Sequence, residues 1–122
     1  MVFKKINIKD VPLELAHHGT CQKKVLLRTE DVKSMLRMFN IAYLKPRQAF
    51  TSHYHTSMEE VFFILRGYGT MKVNDTSYKV KKGDCILIPP NTTHNLKNEG
   101  SKLLEFIVFG IAVEKEGKTI EL

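Results

Sequence analysis

Short apolar or alternating segments, most of them four to nine residues long, recur along this chain and are broken each time by Gly, Pro, Asn or Asp. They fall near residues 24–28, 36–44, 48–55, 60–66, 69–73, 77–81, 84–88, 92–98 and 102–111. Their length and their Val, Ile, Phe, Leu and Tyr content suit strands and leave little room for helices. The breaks carry turn chemistry of their own. "RGYG" offers glycines for positive φ, "NDTS" joins "MKV" to "YKV" as a hairpin, and "KKGD" and "IPPN" bracket "CILI". Many short strands between regular turns fold as an antiparallel sandwich or barrel, so we expect an all-β chain. The exception is "TEDVKSML", where Thr29 can cap one short helix.

At 122 residues the chain is long enough to bury one core and too short for two, so one site is sought. We expect an amino-terminal arm over residues 1–20, a barrel over 21–112 and a loosely held tail over 113–122. In the arm only "KINI" resembles a strand, and the segment is free to add to its own sheet or to a partner's. The formal charge of +6 is scattered over many lysines, with no basic helix and no aromatic RNA-binding sequence, so nucleic acid is not an expected partner. "MVFKKINIKD" lacks the apolar core of a signal peptide, and no apolar run is long enough to span a bilayer. The expectation is a cytoplasmic protein with no membrane contact. Cys21 and Cys85 form no CxxC pair and read as free thiols, Cys85 as a small buried hydrophobe.

The chemistry lies in "HYHTSMEE", residues 53–60. On a strand, alternate side chains share a face, so His53 and His55 point together and are close enough to share one metal ion. Glu60 is an odd number of residues beyond His55, so "TSM" at 56–58 must turn or bulge before Glu60 can face the histidines, with Glu59 outward. Farther on, "GDCILIPPNTTHNLKN" reads as strand, rigid Pro-Pro turn and strand, and His94 opens the second strand. Pro89 and Pro90 fix φ and lack N–H donors, which turns the chain sharply and can bring a third imidazole to the same interior.

These two stretches resemble the paired motifs of the cupin superfamily, G(x)5HxH(x)3,4E(x)6G and G(x)5PxG(x)2H(x)3N. His53, His55, Glu60 and Gly67 match the first motif, and Gly83, Pro89, His94 and Asn98 match the second. The interval from Glu60 to Gly67 selects Glu60 over Glu59. Arg47 and Asn91 stand where the motifs have glycine; Asn is well tolerated at positive φ, and Arg47 brings a cation near the barrel mouth. The resemblance covers roughly residues 36–110. It implies a small double-sheet β-barrel of the jelly-roll type, a homodimer with the amino-terminal arm at its interface, and metal ligands His53, His55, Glu60 and His94.

Three imidazoles and a carboxylate suit a divalent transition metal, whether Mn, Fe, Ni, Co, Cu or Zn, and leave about two positions open if the ion is octahedral. Strand phase puts Arg47, Ala49 and Thr51 on the face of the histidines. Glu105 is the lone polar residue of "LLEFIVF", either a buried acid or, as we favour, an outward group. Tyr43, Arg47 and Asn40 are further candidates for contact with substrate, and His17 and His18 are expected at the surface. An apolar lining between Tyr43, Phe62 and Phe109 would suit a planar or aromatic molecule. The leading expectation is a metal-dependent enzyme on a small oxygen-rich or aromatic molecule, since similar cupins are dioxygenases, decarboxylases and sugar-phosphate isomerases. A non-catalytic ligand-binding or sensing module is the alternative. A DNA-binding regulator ranks last because no helix-turn-helix segment is present.

Overall fold

The structure, a computed structural model, describes residues 3–114 and 117–122. The strands are β1 (Glu14–Ala16), β2 (Cys21–Arg28), β3 (Leu36–Leu44), β4 (His53–His55), β5 (Met58–Arg66), β6 (Tyr68–Val73), β7 (Thr76–Lys81), β8 (Cys85–Ile88), β9 (His94–Asn98), β10 (Leu104–Ala112) and β11 (Thr119–Glu121). They form two antiparallel sheets, one ordered β1-β2-β3-β10-β5-β8 and the other β11-β4-β9-β6-β7. The chain is thus all-β and double-sheeted, as its segment lengths require. Among the described residues no helix is long and apolar enough to cross a membrane.

The inner faces of both sheets supply the core. Strand alternation turns Ala42 and Leu44 of β3, Phe62 and Ile64 of β5 and Phe106 and Val108 of β10 inward, against Met71 and Leu96 of the smaller sheet. Leu44, Ile64, Met71, Leu96 and Leu104 are fully buried. Each such side chain contributes about 1.5–3 kcal/mol by leaving water. Gly69 lets β6 lie against β9, because a Cβ there would collide with the Lys97 carbonyl oxygen.

The motif glycine positions are all left-handed. Gly67 and Gly83 have φ of 91° and 93°, and the two substituted positions, Arg47 and Asn91, have φ of 67° and 60°. Asn91 tolerates this conformation, as expected from its sequence; Arg47 carries the Cβ strain that glycine would avoid.

Several local expectations need correction. The expected helix is a single 3-10 turn, Thr29–Asp31, and Thr29 lies inside it with its hydroxyl donating to the Arg37 carbonyl. Asp31 instead accepts from the Arg28 N–H at 2.8 Å, and β3 begins five residues later (36 − 31). "KINI" is not a strand; the arm contributes Glu14–Ala16, which pairs with β2 of its own sheet. The carboxy-terminal stretch is not a loose tail where it is described. Thr119–Glu121 pairs with β4, while the Thr56 N–H donates to Lys118 O and the Leu122 N–H to Ser52 O, at 2.7 and 3.0 Å. Residues 115 and 116 of that stretch lie outside the described residues. Cys21 is buried, but Cys85 opens the edge strand β8 and is exposed.

Candidate metal centre

β4 is short and begins at His53, so its alternation puts His53 and His55 inward with Tyr54 between them less buried. β9 lies alongside, with His94 directly opposite His53. The chain bends at Thr56 and Ser57, resumes as β5 at Met58, and this change of phase buries Glu60 while Glu59 stays partly exposed. The four side chains converge. One ligand atom from each of His53, His55, Glu60 and His94 lies within 4.8 Å of all the others, and every one of these residues is buried.

Hydrogen bonding fixes which atoms converge. His53 Nδ1 donates to the Thr51 carbonyl at 2.8 Å and His94 Nδ1 to the Thr92 carbonyl at 2.9 Å. A carbonyl can only accept, so these Nδ1 atoms hold the hydrogens and the neutral rings present Nε2 lone pairs to the interior. His55 Nδ1 meets Thr119 Oγ1 at 2.6 Å. Glu60 Oε1 lies 2.8 Å from His94 Nε2 and 3.0 Å from His55 Nε2. The buried Nε2 atoms of His53 and His55 have no aligned hydrogen-bond partner. Several electron-pair donors therefore face one another in a dry interior, and a proton or a cation between them is what relieves that contact. The donor set fits a divalent transition metal.

The electrostatics agree. Burial alone would raise the Glu60 carboxyl, but N–H donation and positive charge from His55 and His94, when those rings are protonated, hold it below the usual carboxylate range, and a cation takes that place when the rings are neutral. Burial pushes His53 down to about 4, against the opposing bond to the Thr51 carbonyl, which keeps the ring neutral and able to bind metal.

Two groups reach this centre that sequence reasoning left outside it. His17, expected at the surface, sits in the β1–β2 turn at φ 51° with its ring stacked on His53 at 4.0 Å, and its Nδ1 lies 3.0 Å from Glu121 Oε1. Burial lowers the His17 pKa, and Glu121 opposes the shift. The carboxy-terminal strand thus supplies Glu121 to His17 and Thr119 to His55. The signal for the hairpin was "HHGT", whose His17, His18 and Gly19 all have positive φ; His18 is exposed, as expected. Nothing local in "KTIEL" pointed to a strand over the clustered histidines.

Beside the cluster lies a cavity of about 310 Å³ bordered by His55 and Glu60. Phe50, Phe62 and Phe106 form its apolar wall, and Lys23 and Asn40 also line it. Phe50 replaces the expected Ala49 and Thr51 as the neighbour of His53, at 5.3 Å between rings, because strand phase is interrupted before β4 starts. Tyr43 and Glu105 are paired across β3 and β10 in opposite phase to Ala42 and Phe106, so they lie on the outer face, with Glu105 3.8 Å from Arg66 Nε. Phe109 shares that outer face and packs on Phe39. Arg47 is exposed in the turn after β3, and its N–H donates to Asn98 O. None of these four lines the cavity, whose aromatic wall is mixed with charged and amide groups.

Comparison with known proteins agrees with this architecture. An uncharacterized protein of Methanocaldococcus jannaschii is 42% identical over 55 residues, which is 45% of this chain and 44% of that one, so the match spans less than half of that relative. An oxalate-binding protein of Thermotoga maritima is 28% identical over 89 residues, covering 73% of this chain and 74% of its own. Among solved structures, a predicted oxalate decarboxylase from Thermotoga maritima superimposes with a TM-score of 0.83 at 23% identity, over 89% of this chain and 99% of that one, which is a likeness of fold. The profile of the cupin domain family matches residues 40–110, a stretch that holds all four clustered side chains, and the chain belongs to that family.

Proposed function

We propose that His53, His55, Glu60 and His94 hold one divalent transition metal, and that the protein acts as a metal-dependent enzyme on a small oxygen-rich molecule bound in the adjoining cavity. The observation that carries this reading is the convergence of Nε2 lone pairs on a buried carboxylate while the opposite ring nitrogens are occupied by carbonyls or a hydroxyl. When bound, the ion would supply Lewis-acid or oxygen-activating chemistry. The chain does the rest. Thr51, Thr92 and Thr119 orient the rings, Phe50 and Phe62 keep water from the cluster, and the cavity admits the ligand at His55 and Glu60.

Dioxygenase-like and decarboxylase-like reactions suit such a centre, with sugar-phosphate isomerisation next. The likeness to a predicted oxalate decarboxylase supports the fold such reactions use. The second reading is a non-catalytic ligand-binding module, favoured by the relative named an oxalate-binding protein and by the outward placement of Tyr43 and Glu105. Metal analysis of purified protein, followed by oxygen uptake and CO2 release on diketones, catechols and small organic acids, separates them. Turnover supports an enzyme; stoichiometric metal and ligand binding without turnover supports the module. We further propose that the protein is cytoplasmic and forms a homodimer, the dimer supported by exposed Phe3, Leu13 and Leu15 on the arm and by Phe63 and Leu87 on the outer face of the larger sheet. Light scattering at several concentrations tests it, and a monomer throughout would reject it.

A further inference from the structure

The cavity beside the cluster contains polar groups that metal binding does not use. Asn40 of β3 is only 3% exposed, yet its Oδ1 is buried with no hydrogen-bond partner. Leaving a buried amide oxygen unanswered is unfavourable, and Asn40 is one of the residues that line the space bordered by His55 and Glu60. Lys23 lines the same space from β2. It pairs across the ladder with Ala42, an inward residue of β3, and so shares that inner face. The nearest carboxylate along the sheet, Glu14 opposite Lys23 on β1, is engaged by Arg28. Among the described residues no salt bridge holds Lys23. Of the negative groups nearby, Glu60 faces the histidine cluster, where a bound cation would offset its charge, and Glu121 is hydrogen-bonded through Oε1 to His17.

We propose that Lys23 and Asn40 form a ligand subsite across from the metal cluster and select a small hydroxycarboxylic acid, its carboxylate at the Lys23 ammonium and its hydroxyl donating to Asn40 Oδ1. This rests on the metal reading, since a further oxygen of the acid would face the ion. The charge complement calls for an anion, and the unanswered acceptor calls for a donor on the same molecule. A cavity of about 310 Å³ is at the small end for ligand sites, which restricts the acid to a few carbons. The phenyl walls exclude water around both contacts and so strengthen them.

The test uses Mn(II)-loaded full-length protein titrated by calorimetry with three four-carbon probes: malate, succinate, which lacks the hydroxyl, and 1,2,4-butanetriol, which lacks the carboxylates. Metal per chain is measured on the same samples. Wild type should bind malate at least 10-fold more tightly than either control. Asn40→Leu should reduce malate to the level of succinate and leave succinate unchanged; Lys23→Gln should weaken malate and succinate together and leave butanetriol unchanged. Metal content should be the same in all three proteins. Protein that takes up Mn(II) but shows no malate preference overturns this inference alone, as does an Asn40→Leu variant that weakens malate and succinate equally. Lys23→Gln, at a half-buried strand position, tests the carboxylate contact even if Asn40→Leu does not fold. Wild type that takes up no Mn(II) overturns the metal reading and this inference with it.

Discussion

Replacing Glu60 by Gln removes one charge from the buried cluster and leaves its shape nearly intact, so the change separates a metal ligand from a structural ion-pair partner. For 122 residues, 1 kcal/mol corresponds to about 4 °C in Tm. A metal present at 1,000 times its Kd raises wild-type stability by about 4 kcal/mol, or about 16 °C. Losing the only anionic ligand should weaken binding at least about 100-fold, the upper end of what losing an outer partner costs. At the same metal concentration the increment then falls to about 1.4 kcal/mol, or about 6 °C. The metal-free proteins should differ little, by about 1 kcal/mol at most, because the Gln amide can donate to the His94 Nε2 lone pair now 2.8 Å from Glu60 Oε1. If Glu60 served only as a buried partner for charged histidines, its loss would cost about 3–5 kcal/mol, or about 12–20 °C, without any metal present. Differential scanning calorimetry with EDTA and with excess Mn(II) reads both quantities. A large drop in the EDTA scan with an unchanged metal increment would refute the reasoning.

Four other outcomes follow from the same structure. Thr119→Val removes the hydroxyl at His55 Nδ1 and should weaken metal binding about 10–100-fold, with Thr119→Ser restoring it; equal affinity in all three proteins would deny the carboxy-terminal strand a role in the centre. Metal-free protein should keep full stability above about pH 6.5 and lose up to about 3 kcal/mol as pH falls toward 4, because the unfolded chain protonates His53 before the folded chain does; a His53→Gln variant should lack that loss, and a wild-type Tm in EDTA that is flat over this range contradicts it. Arg47→Gly should raise Tm by about 4 °C by relieving the left-handed Cβ strain, and a fall would show that the arginine side chain contributes more than the strain costs. Gly69→Ala should lower stability by about 3 kcal/mol, since the new methyl meets the backbone carbonyl of Lys97 and the β6–β9 ladder must part; unchanged Tm would mean that the ladder can shift.

Periodicity made the architecture readable wherever one face of a strand is buried. The segment expected at 36–44 is β3 to the residue, and the odd offset between His55 and Glu60 required the bend found at Thr56 and Ser57. Alternation also sorted Glu60 inward and Glu105 outward. Phase failed at residues 47–51, where the chain is not a continuous strand, so Phe50 rather than Thr51 packs on His53. Composition misled at the ends. "KTIEL" is polar and short, and its pairing with β4 depends on a neighbour more than 60 residues away (119 − 55 = 64). His17 was read as a surface residue for the same reason: its stacking on His53 comes from tertiary placement of a hairpin that no local pattern announces. Asn40 was visible only as one polar residue in an apolar strand, and its lack of a partner required the structure.

The central claim is that His53, His55, Glu60 and His94 act together as one metal centre, and metal per chain tests it most directly. Untagged wild type, His53→Ala and His94→Ala, purified without chelator and dialysed against limiting metal, should be compared by elemental analysis for Mn, Fe, Co, Ni, Cu and Zn. Wild type should carry close to one transition-metal ion per chain and each variant about a tenth of that or less. Folded variants that retain the wild-type metal content, or a wild type that stays metal-free after reconstitution with each ion, would contradict it.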